Sequence, residues 1–271
     1  MKLSIAIADT HALPSAFVVF RGFEECIPKA ARLGFDGVEL ALKRAHEIDT
    51  IRLRQLLQEN HLEVSSISTG QVYADGNLSL THEDPRIREE VKSIFRELID
   101  LAAVFGKTVN IGRVRGPIGN RNRTEVEQLF IEVSRDLCRY AMQKDVMLIL
   151  EPVNHTEIDF INNVEEGAAL MKKINMPNMM LMPDVYHMYL EDGQIGPTLV
   201  RHIDHIRYIH LADHNRLAPG QGDTDFGEIF SSLLTAGYDG WVSVEILPLP
   251  DPDTAAAQAS AFLCPMIRKY N

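Results

Sequence analysis

Four residues in the second half of the chain, Glu151, Asp184, His210 and Glu245, each stand at the end of a short apolar run. Three carboxylates and one imidazole form an oxygen-rich donor set that suits Mn²⁺, Mg²⁺ or Co²⁺, whereas a structural zinc site would more often use thiolates. A cation held there could stabilise negative charge on an oxygen of a bound molecule, and a carboxylate beside it could move a proton. One such residue alone is usually a rim or core side chain, but four coincident run ends predict a metal site.

These runs belong to a series of short apolar segments that recur along the whole chain. The clearest, residues 146–150, is continuous rather than alternating, which is typical of a parallel strand covered on both faces. Pro152 stops this strand, because proline cannot donate a hydrogen bond to a strand ladder. The predicted strands are residues 3–8, 37–40, 64–68, 108–111, 146–150, 179–183, 206–211 and 241–246.

Helical segments fill the gaps between these strands. Asp84 can cap the clearest helix, Pro85 suits its first position, and apolar residues repeat at helical spacing until Gly106. Thr124 and Glu127 form a capping-box pattern ahead of the next helix. The other clear helices are predicted at residues 24–33, 51–59, 164–174, 226–236 and 254–267, and a loop at residues 69–77.

Strands that alternate with helices about eight times predict right-handed crossovers and a parallel sheet. The chain has 271 residues, of which 45% are hydrophobic, and a typical (β/α)₈ barrel has roughly 250. We find no linker that would divide it. We therefore predict an α/β protein, a (β/α)₈ TIM barrel with a single domain over residues 1–271. The four candidate ligands then meet at the carboxyl ends of the strands, where such barrels carry their active sites.

Composition narrows the classes of partner and location. The chain carries 27 Lys and Arg against 38 Asp and Glu, and this net charge of −11 argues against nucleic acid and anionic membrane surfaces as partners. Cys26, Cys138 and Cys264 are far apart, which is typical of reduced thiols in a cytoplasmic protein. No apolar run approaches the roughly 18 residues of a membrane span.

The spacing of the polar residues resembles that of the xylose-isomerase-like barrels. The motifs that match are Glu151-Pro152-x-Asn154 with Glu157, Asp184-x-x-His187, His210-x-x-Asp213 with Arg216 beyond it, and Glu245. Within these barrels the chain is most similar to ketose 3-epimerases that act on D-tagatose, D-allulose and L-ribulose. The resemblance implies metal ligation by the four strand-end residues and a small-molecule ketose held by Glu157, His187 and Arg216. In the N-terminal half only general features such as GFDGVEL match. Because related barrels pair through their outer helices, the resemblance also implies a homodimer or tetramer.

The residue types also fit the chemistry of those enzymes. A proton next to a carbonyl is weakly acidic, and a metal bound to the carbonyl oxygen stabilises the enediolate that forms when the proton leaves. Inversion requires removal from one face and return to the other, for which Glu151 and Glu245 would stand on opposite sides of the metal. We therefore predict a metal-dependent ketose 3-epimerase, an isomerase that inverts C3 through a cis-enediolate, with Mn²⁺ as the expected cofactor and Co²⁺ or Mg²⁺ as alternatives.

Other functions stay open at this point. Arg113 and Arg115, after the fourth strand, are either surface charge or contacts to an anionic tail of the substrate. In the second case the chain would be an epimerase of a keto-sugar acid, of the keto-gluconate or tagaturonate type. The next alternative is isomerisation of hydroxypyruvate or an inosose. Such an isomerisation needs a base on one face of the substrate only. A non-catalytic sugar-binding barrel is the alternative from a different class.

Several polar residues near the candidate metal ligands have predicted supporting roles. Asn154 is predicted to fix the turn after the fifth strand, and Asp213 to orient His210. The glycine-rich residues 219–223 are predicted to form a mobile rim over the sugar. Three further histidines are interpreted as surface or capping residues because none falls at a strand end: His202, His205 and His214.

Overall fold

The computed structural model describes residues 1–13, 17–74, 76 and 78–270, and its strands follow the predicted apolar runs closely. The strands are β1 (Lys2–Ala8), β2 (Phe20–Arg21), β3 (Gly37–Ala41), β4 (Glu63–Ser68), β5 (Thr108–Ile111), β6 (Met147–Leu150), β7 (Met179–Leu181), β8 (Tyr208–Leu211) and β9 (Trp241–Val244). Only the two-residue β2 was not predicted, because so short a segment carries no periodic signal.

The strands form a closed parallel barrel. Hydrogen bonds join them in the order β7-β6-β5-β4-β3-β1-β9-β8, and β2 pairs with the carboxyl end of β1. Two isolated parallel bridges, Leu181 to Ile206 and Asp184 to His210, connect the chain at β7 to the chain at β8 and complete the ring. The predicted (β/α)₈ barrel is therefore confirmed. The predicted sixth, seventh and eighth strands were each about two residues too long, because apolar residues at their ends are buried outside the ladder.

Helices cover the outside of this barrel. They are α1 (Phe23–Arg32), α2 (Thr50–Asn60), α3 (Gly70–Ala74), α4 (Pro85–Val104), α5 (Arg123–Met142), α6 (Val164–Ile174), α7 (Val185–Glu191), α8 (Ile195–His202), α9 (Phe226–Thr235) and α10 (Pro252–Tyr270). Short 3-10 helices occupy Ala45–Glu47, Arg113–Arg115 and Ile203–His205. In α5, Val126, Phe130, Val133 and Leu137 recur every three or four residues and are buried, as an amphipathic helix on a barrel requires.

Two local predictions are corrected by the structure. The capping box of Thr124 and Glu127 is wrong, because Asn122 caps α5 by accepting hydrogen bonds from the backbone of Thr124 and Glu125. The loop predicted at residues 69–77 contains the short helix α3, and its last residue, Asn77, lies outside the described residues. Asp84 caps α4 as predicted. Within the described ranges no helix is long and apolar enough to cross a membrane.

Candidate active site

The barrel brings the four predicted metal ligands together. Glu151 follows β6, Asp184 follows β7, His210 lies in β8, and Glu245 follows β9. One ligand atom from each residue lies within 4.8 Å of those of the other three. Asp184 and His210 are fully buried, since the parallel bridge between them draws both into the barrel mouth. The four side chains therefore converge on one point at the carboxyl ends of the strands.

Two polar atoms at this point lack any hydrogen-bond partner among the described residues. Asp184 Oδ1 accepts a hydrogen bond from the backbone of Tyr186 at 2.9 Å, whereas Oδ2 accepts none. His210 Nδ1 is likewise buried without a hydrogen bond. A buried polar atom without a hydrogen bond is costly, and a divalent cation would satisfy both atoms at once. The donor set and these two atoms fit a hard metal ion.

Burial and mutual repulsion shift the proton affinity of these acids. Burial raises the pKa of Glu245 to about 8, with a contribution from the charge of Glu151, although His210 and Arg216 oppose it. Burial raises the pKa of Asp184 to about 6. For His210, burial disfavours the charged ring, but the charges of Glu39 and Glu245 outweigh burial and hold its pKa well above the ordinary value. Without a cation, the cluster therefore retains protons that the unfolded chain would release.

This proton retention predicts that the metal-free protein loses stability as pH rises from about 5 to about 8. Glu245 titrates near 8 when folded against an ordinary value of 4.5, so the folded state binds more protons across this interval and raising the pH favours unfolding. Asp184 and His210, whose pKa values are also raised, act in the same direction. Melting temperatures measured in chelator at several pH values should fall. A melting temperature that rises with pH in the metal-free protein would contradict the shifts.

A residue that sequence reasoning missed holds His210 in place. Glu39, in the middle of β3, is fully buried and accepts a hydrogen bond from His210 Nε2 at 2.9 Å. The hydroxyl of Tyr208 donates to the same carboxylate at 2.8 Å, and Ser65 Oγ lies 2.7 Å from that hydroxyl. Burial alone would raise the pKa of Glu39, but the charge and hydrogen bond of His210 lower it below its usual value. The signal in the sequence was an acid inside the buried run GVEL.

The prediction that Asp213 orients His210 is wrong. Its carboxylate accepts hydrogen bonds from the backbone of four residues of its own loop: His214, Gly220, Gly222 and Thr224. Burial would raise the pKa of Asp213, but its hydrogen bonds with His214 and Thr224 lower it below the usual value. Asp213 therefore shapes the loop from residue 213 to 224, which carries Arg216.

Replacing Glu39 should weaken metal binding without touching a metal ligand. A carboxylate behind a ligating imidazole fixes its tautomer and orientation, and loss of such a partner typically weakens metal affinity about 10- to 100-fold. We expect Glu39→Leu to show this loss and Glu39→Gln, which keeps an acceptor, to show a smaller one. Titration with Co²⁺, followed by its visible spectrum, measures both affinity and ligand geometry. Equal affinity and an unchanged spectrum in Glu39→Leu would refute the role.

Three residues predicted to hold a substrate line one pocket beside this cluster. Glu157, His187 and Arg216 line one cavity together with Glu151 and Glu245. Arg216 Nη2 lies 2.8 Å from Glu245 Oε2, and Nη1 lies 3.4 Å from Glu157 Oε1. Its guanidinium also lies over two aromatic rings, 4.0 Å from the centre of Phe17 and 4.6 Å from that of Tyr186. The arginine is thus held in one position against the carboxylates.

Hydrogen bonding fixes the tautomer of His187. Asn154 Nδ2 donates to His187 Nδ1 at 2.8 Å, so the ring proton lies on Nε2. Burial and nearby arginines lower the pKa of His187 well below its usual value, so the ring is neutral. Its Nε2 lies 3.8 Å from both Glu151 Oε1 and Asp184 Oδ2, where it can donate to a bound oxygen. Asn154 also accepts from Thr156, which confirms its predicted role in the turn after β6.

The two arginines after β5 have different positions. Arg113 lines the pocket, and its Nη1 lies 3.5 Å from Glu157 Oε2. Arg115 was predicted to be surface charge or a specificity residue, and both predictions are wrong. Its side chain is fully buried. It donates to four backbone carbonyl oxygens: those of Gly112, Glu151, Phe160 and Ile161. Arg115 therefore fixes the backbone after β6 and cannot reach a substrate.

Gly112, directly after β5, leaves room for one of the candidate ligands. A Cβ at this position would lie only 2.7 Å from Glu151 Oε2, so the carboxylate can keep its position only beside glycine. Of the three other histidines, which were predicted to be surface or capping residues, His202 is buried and bonds to Glu165, so it is not a surface residue. His214 Nδ1 accepts from the backbone of Asp223 inside the loop that Asp213 shapes.

Comparisons with known proteins identify the family of this barrel. A family model described as xylose isomerase-like TIM barrel matches residues 27–266. The L-ribulose 3-epimerase of Methylomonas sp. (strain DH-1) is 29% identical over 231 residues, which are 83% of this chain and 78% of the relative. The hydroxypyruvate isomerase of Escherichia coli (strain K12) is 25% identical over 225 residues, which are 81% of this chain and 86% of the relative.

A solved structure shows the same fold over the full length. The crystal structure of D-allulose 3-epimerase from Methylomonas sp. in complex with D-allulose is similar with a TM-score of 0.80 at 24% identity. This match covers 100% of this chain and 98% of that one. The family predicted from the motifs is confirmed, because the matching model spans most of the barrel: this chain belongs to the xylose isomerase-like TIM barrel family.

Proposed function

We propose that the protein is a metal-dependent ketose 3-epimerase. One observation carries the proposal: two glutamates, Glu151 and Glu245, each place a carboxylate oxygen near His210 Nδ1, at 3.6 Å and 3.7 Å, and both line the pocket. A pair of carboxylates facing one cavity suits removal and return of a proton on the two faces of one carbon. The names of the relatives, among them L-ribulose 3-epimerase and D-psicose 3-epimerase, support the same reaction class.

Glu151, Asp184, His210 and Glu245 would hold the cation, for which Mn²⁺ is our first choice and Co²⁺ or Mg²⁺ the alternatives. When bound, such an ion supplies Lewis-acid stabilisation of the negative charge that develops on a substrate oxygen. Asp184 Oδ2 and His210 Nδ1, which are buried without a hydrogen bond, support this assignment.

The proton transfers and the binding of the substrate are assigned to residues of the chain. One glutamate, Glu151 or Glu245 according to direction, removes the proton from C3, and the other returns a proton to the opposite face through a planar enediolate. His187 donates its Nε2 proton to an oxygen at the carbonyl end, because Asn154 occupies the other ring nitrogen. Arg216, held by Glu157 and Glu245, presents fixed positive charge to the same end.

Isomerisation between an aldehyde and a ketone is the second candidate. The 25% identity to a hydroxypyruvate isomerase favours it, and Arg113 at the pocket supplies a cation that a keto-acid could use. Isomerisation needs one base on one face, so it leaves the second glutamate with metal binding alone. Epimerisation gives both glutamates a proton-transfer role, and we prefer it for that reason.

A panel of substrates tests the proposal. Free ketoses, keto-uronates and ketose phosphates are incubated with the Mn²⁺-loaded protein, and products are identified by their stereochemistry. We expect at least one free ketose to yield its C3 epimer. Products that are aldoses would favour the isomerase, and an absence of turnover across the panel would favour a non-catalytic sugar-binding barrel.

A further inference from the structure

One arginine at the barrel mouth has no part in the proposed epimerisation. Arg113, directly after β5, lines the same cavity as Glu151 and Glu245, and its side chain is 27% exposed. Among the described residues its guanidinium forms one ion pair, in which Nη1 lies 3.5 Å from Glu157 Oε2, and no hydrogen bond. A guanidinium has five N–H donors. Most donors of Arg113 are therefore available to a molecule bound in the cavity.

The backbone that carries this arginine is fixed by hydrogen bonds. It belongs to the 3-10 helix Arg113–Arg115. The carbonyl oxygen of Val114 accepts from the backbone of Leu80 at 2.8 Å, and that of Arg115 accepts from the hydroxyl of Thr81 at 2.7 Å. A side chain on a fixed backbone loses less conformational freedom when it binds a ligand, which favours its use in recognition.

The side of the pocket around Arg113 is otherwise uncharged where the structure describes it. It is formed by the ends of β4 and β5 and by α3, whose other lining residues are small or neutral: Ser68, Gly70, Gln71, Ala74, Asn110 and Gly112. Tyr73, also on α3, has its ring centre 5.9 Å from the guanidinium carbon of Arg113. A negatively charged group bound on this side would therefore meet a cation, and Glu157 is the acid that it would have to displace.

Glu157 has other partners and does not depend on Arg113. Its Oε1 lies 3.4 Å from Arg216 Nη1 and accepts from Asn154 Nδ2 at 3.3 Å. Arg216 in turn is paired with Glu245 at 2.8 Å and is only 5% exposed. Glu157 therefore stays paired with Arg216 when Arg113 binds another group. The two arginines differ in this respect, since Arg216 is committed to buried acids and Arg113 is not.

Resting on the proposed function, we infer that Arg113 binds an anionic group of the substrate, so that the site prefers ketoses that carry a carboxylate or a phosphate. The planar fork of a guanidinium matches two oxygens of either anion, and such charge-assisted pairs are about twice as strong as neutral hydrogen bonds. A hydroxyl group offers one neutral acceptor and gains less. Arg113 is thus a specificity residue that takes no part in proton transfer.

The test compares the wild type with Arg113→Leu, which removes the charge, and Arg113→Lys, which keeps the charge but loses the fork. The substrates are a neutral ketohexose, its two terminal phosphates and the keto-uronate of the same configuration, with Mn²⁺ in excess. We expect the wild type to prefer one anionic substrate, and Arg113→Leu to lower kcat/KM for it about 10- to 100-fold, chiefly through KM. The neutral ketohexose should change less than about threefold. Arg113→Lys should fall between the two, because it cannot bind the anion through two parallel hydrogen bonds.

The matched control is Arg139→Leu at an exposed position of α5, which should behave as the wild type with every substrate. Binding is measured in parallel as the ligand-induced rise in melting temperature of the metal-loaded proteins, which does not depend on turnover. If nothing is inverted at C3 but Arg113→Leu still weakens binding of an anionic ketose, the proposed function fails and the inference stands.

Three results would overturn the inference. The first is a wild type that binds and turns over the neutral ketohexose as well as every anionic substrate. The second is an anionic substrate whose kcat/KM and melting-temperature rise are the same in Arg113→Leu as in the wild type. The third is an equal loss for neutral and anionic substrates in Arg113→Leu, which would indicate a structural role for the arginine.

Discussion

Removal of the divalent cation should abolish turnover, with a loss of about 10³-fold or more in kcat. Three carboxylates and a histidine converge within 4.8 Å, and in the absence of a cation their repulsion is relieved by protons on Glu245 and Asp184. A glutamate that already carries a proton cannot remove one from a substrate. Chelation followed by dialysis and assay gives the metal-free rate, and metal analysis confirms the preparation.

Reconstitution provides the control for this experiment. Added Mn²⁺ or Co²⁺ should restore the rate, since both suit a donor set of oxygen and imidazole nitrogen. Metal ligands must be deprotonated, so restoration should need less cation at pH 8 than at pH 6. Full activity in a preparation verified to be metal-free would overturn the assignment of these four residues.

Replacement of either Glu151 or Glu245 should lower kcat strongly. Glu151→Gln and Glu245→Gln keep the size of the side chain but remove the base, and we expect kcat to fall ~10²-fold or more from the proton-transfer role alone. The loss should appear in kcat rather than in KM, because the affected interaction belongs to the transition state. Steady-state assays of both variants with metal in excess give the two constants.

Because each glutamate is also a proposed ligand, bound metal is measured beside the rate in every variant. The matched control is Glu125→Gln on the exposed face of α5, which should behave as the wild type. A Glu245→Gln variant that keeps its metal and still inverts C3 at the normal rate would show that Glu245 does not transfer a proton.

The barrel and its ligand cluster could be predicted because both depend on patterns that are local in sequence. Continuous apolar runs mark the strands, and the carboxyl ends of parallel strands meet at one edge. Glu151 and Glu245 each follow such a run, so topology alone brings them together. The bridge between Asp184 and His210 then completes the group, although no sequence pattern showed this pairing directly.

Residues whose roles depend on distant partners could not be predicted. Glu39 meets His210 across 171 positions of the chain, and a single acid in an apolar strand does not say which residue it faces. Arg115 has the sequence features of an exposed arginine, but its four carbonyl partners come from the β5 and β6 ends and the loop that follows. These roles arise from tertiary packing, which overrides local pattern.

The position of solvent deuterium in the product tests the central claim most directly. If Glu151 and Glu245 exchange protons on opposite faces of one carbon, turnover of a ketose in D₂O must introduce deuterium at C3, because the returning proton comes from a group that equilibrates with solvent. We expect NMR or mass spectrometry of the product ketose to locate the label at C3. Deuterium at C1 or C2, or a C3 epimer that carries no solvent deuterium, would contradict the two-glutamate mechanism.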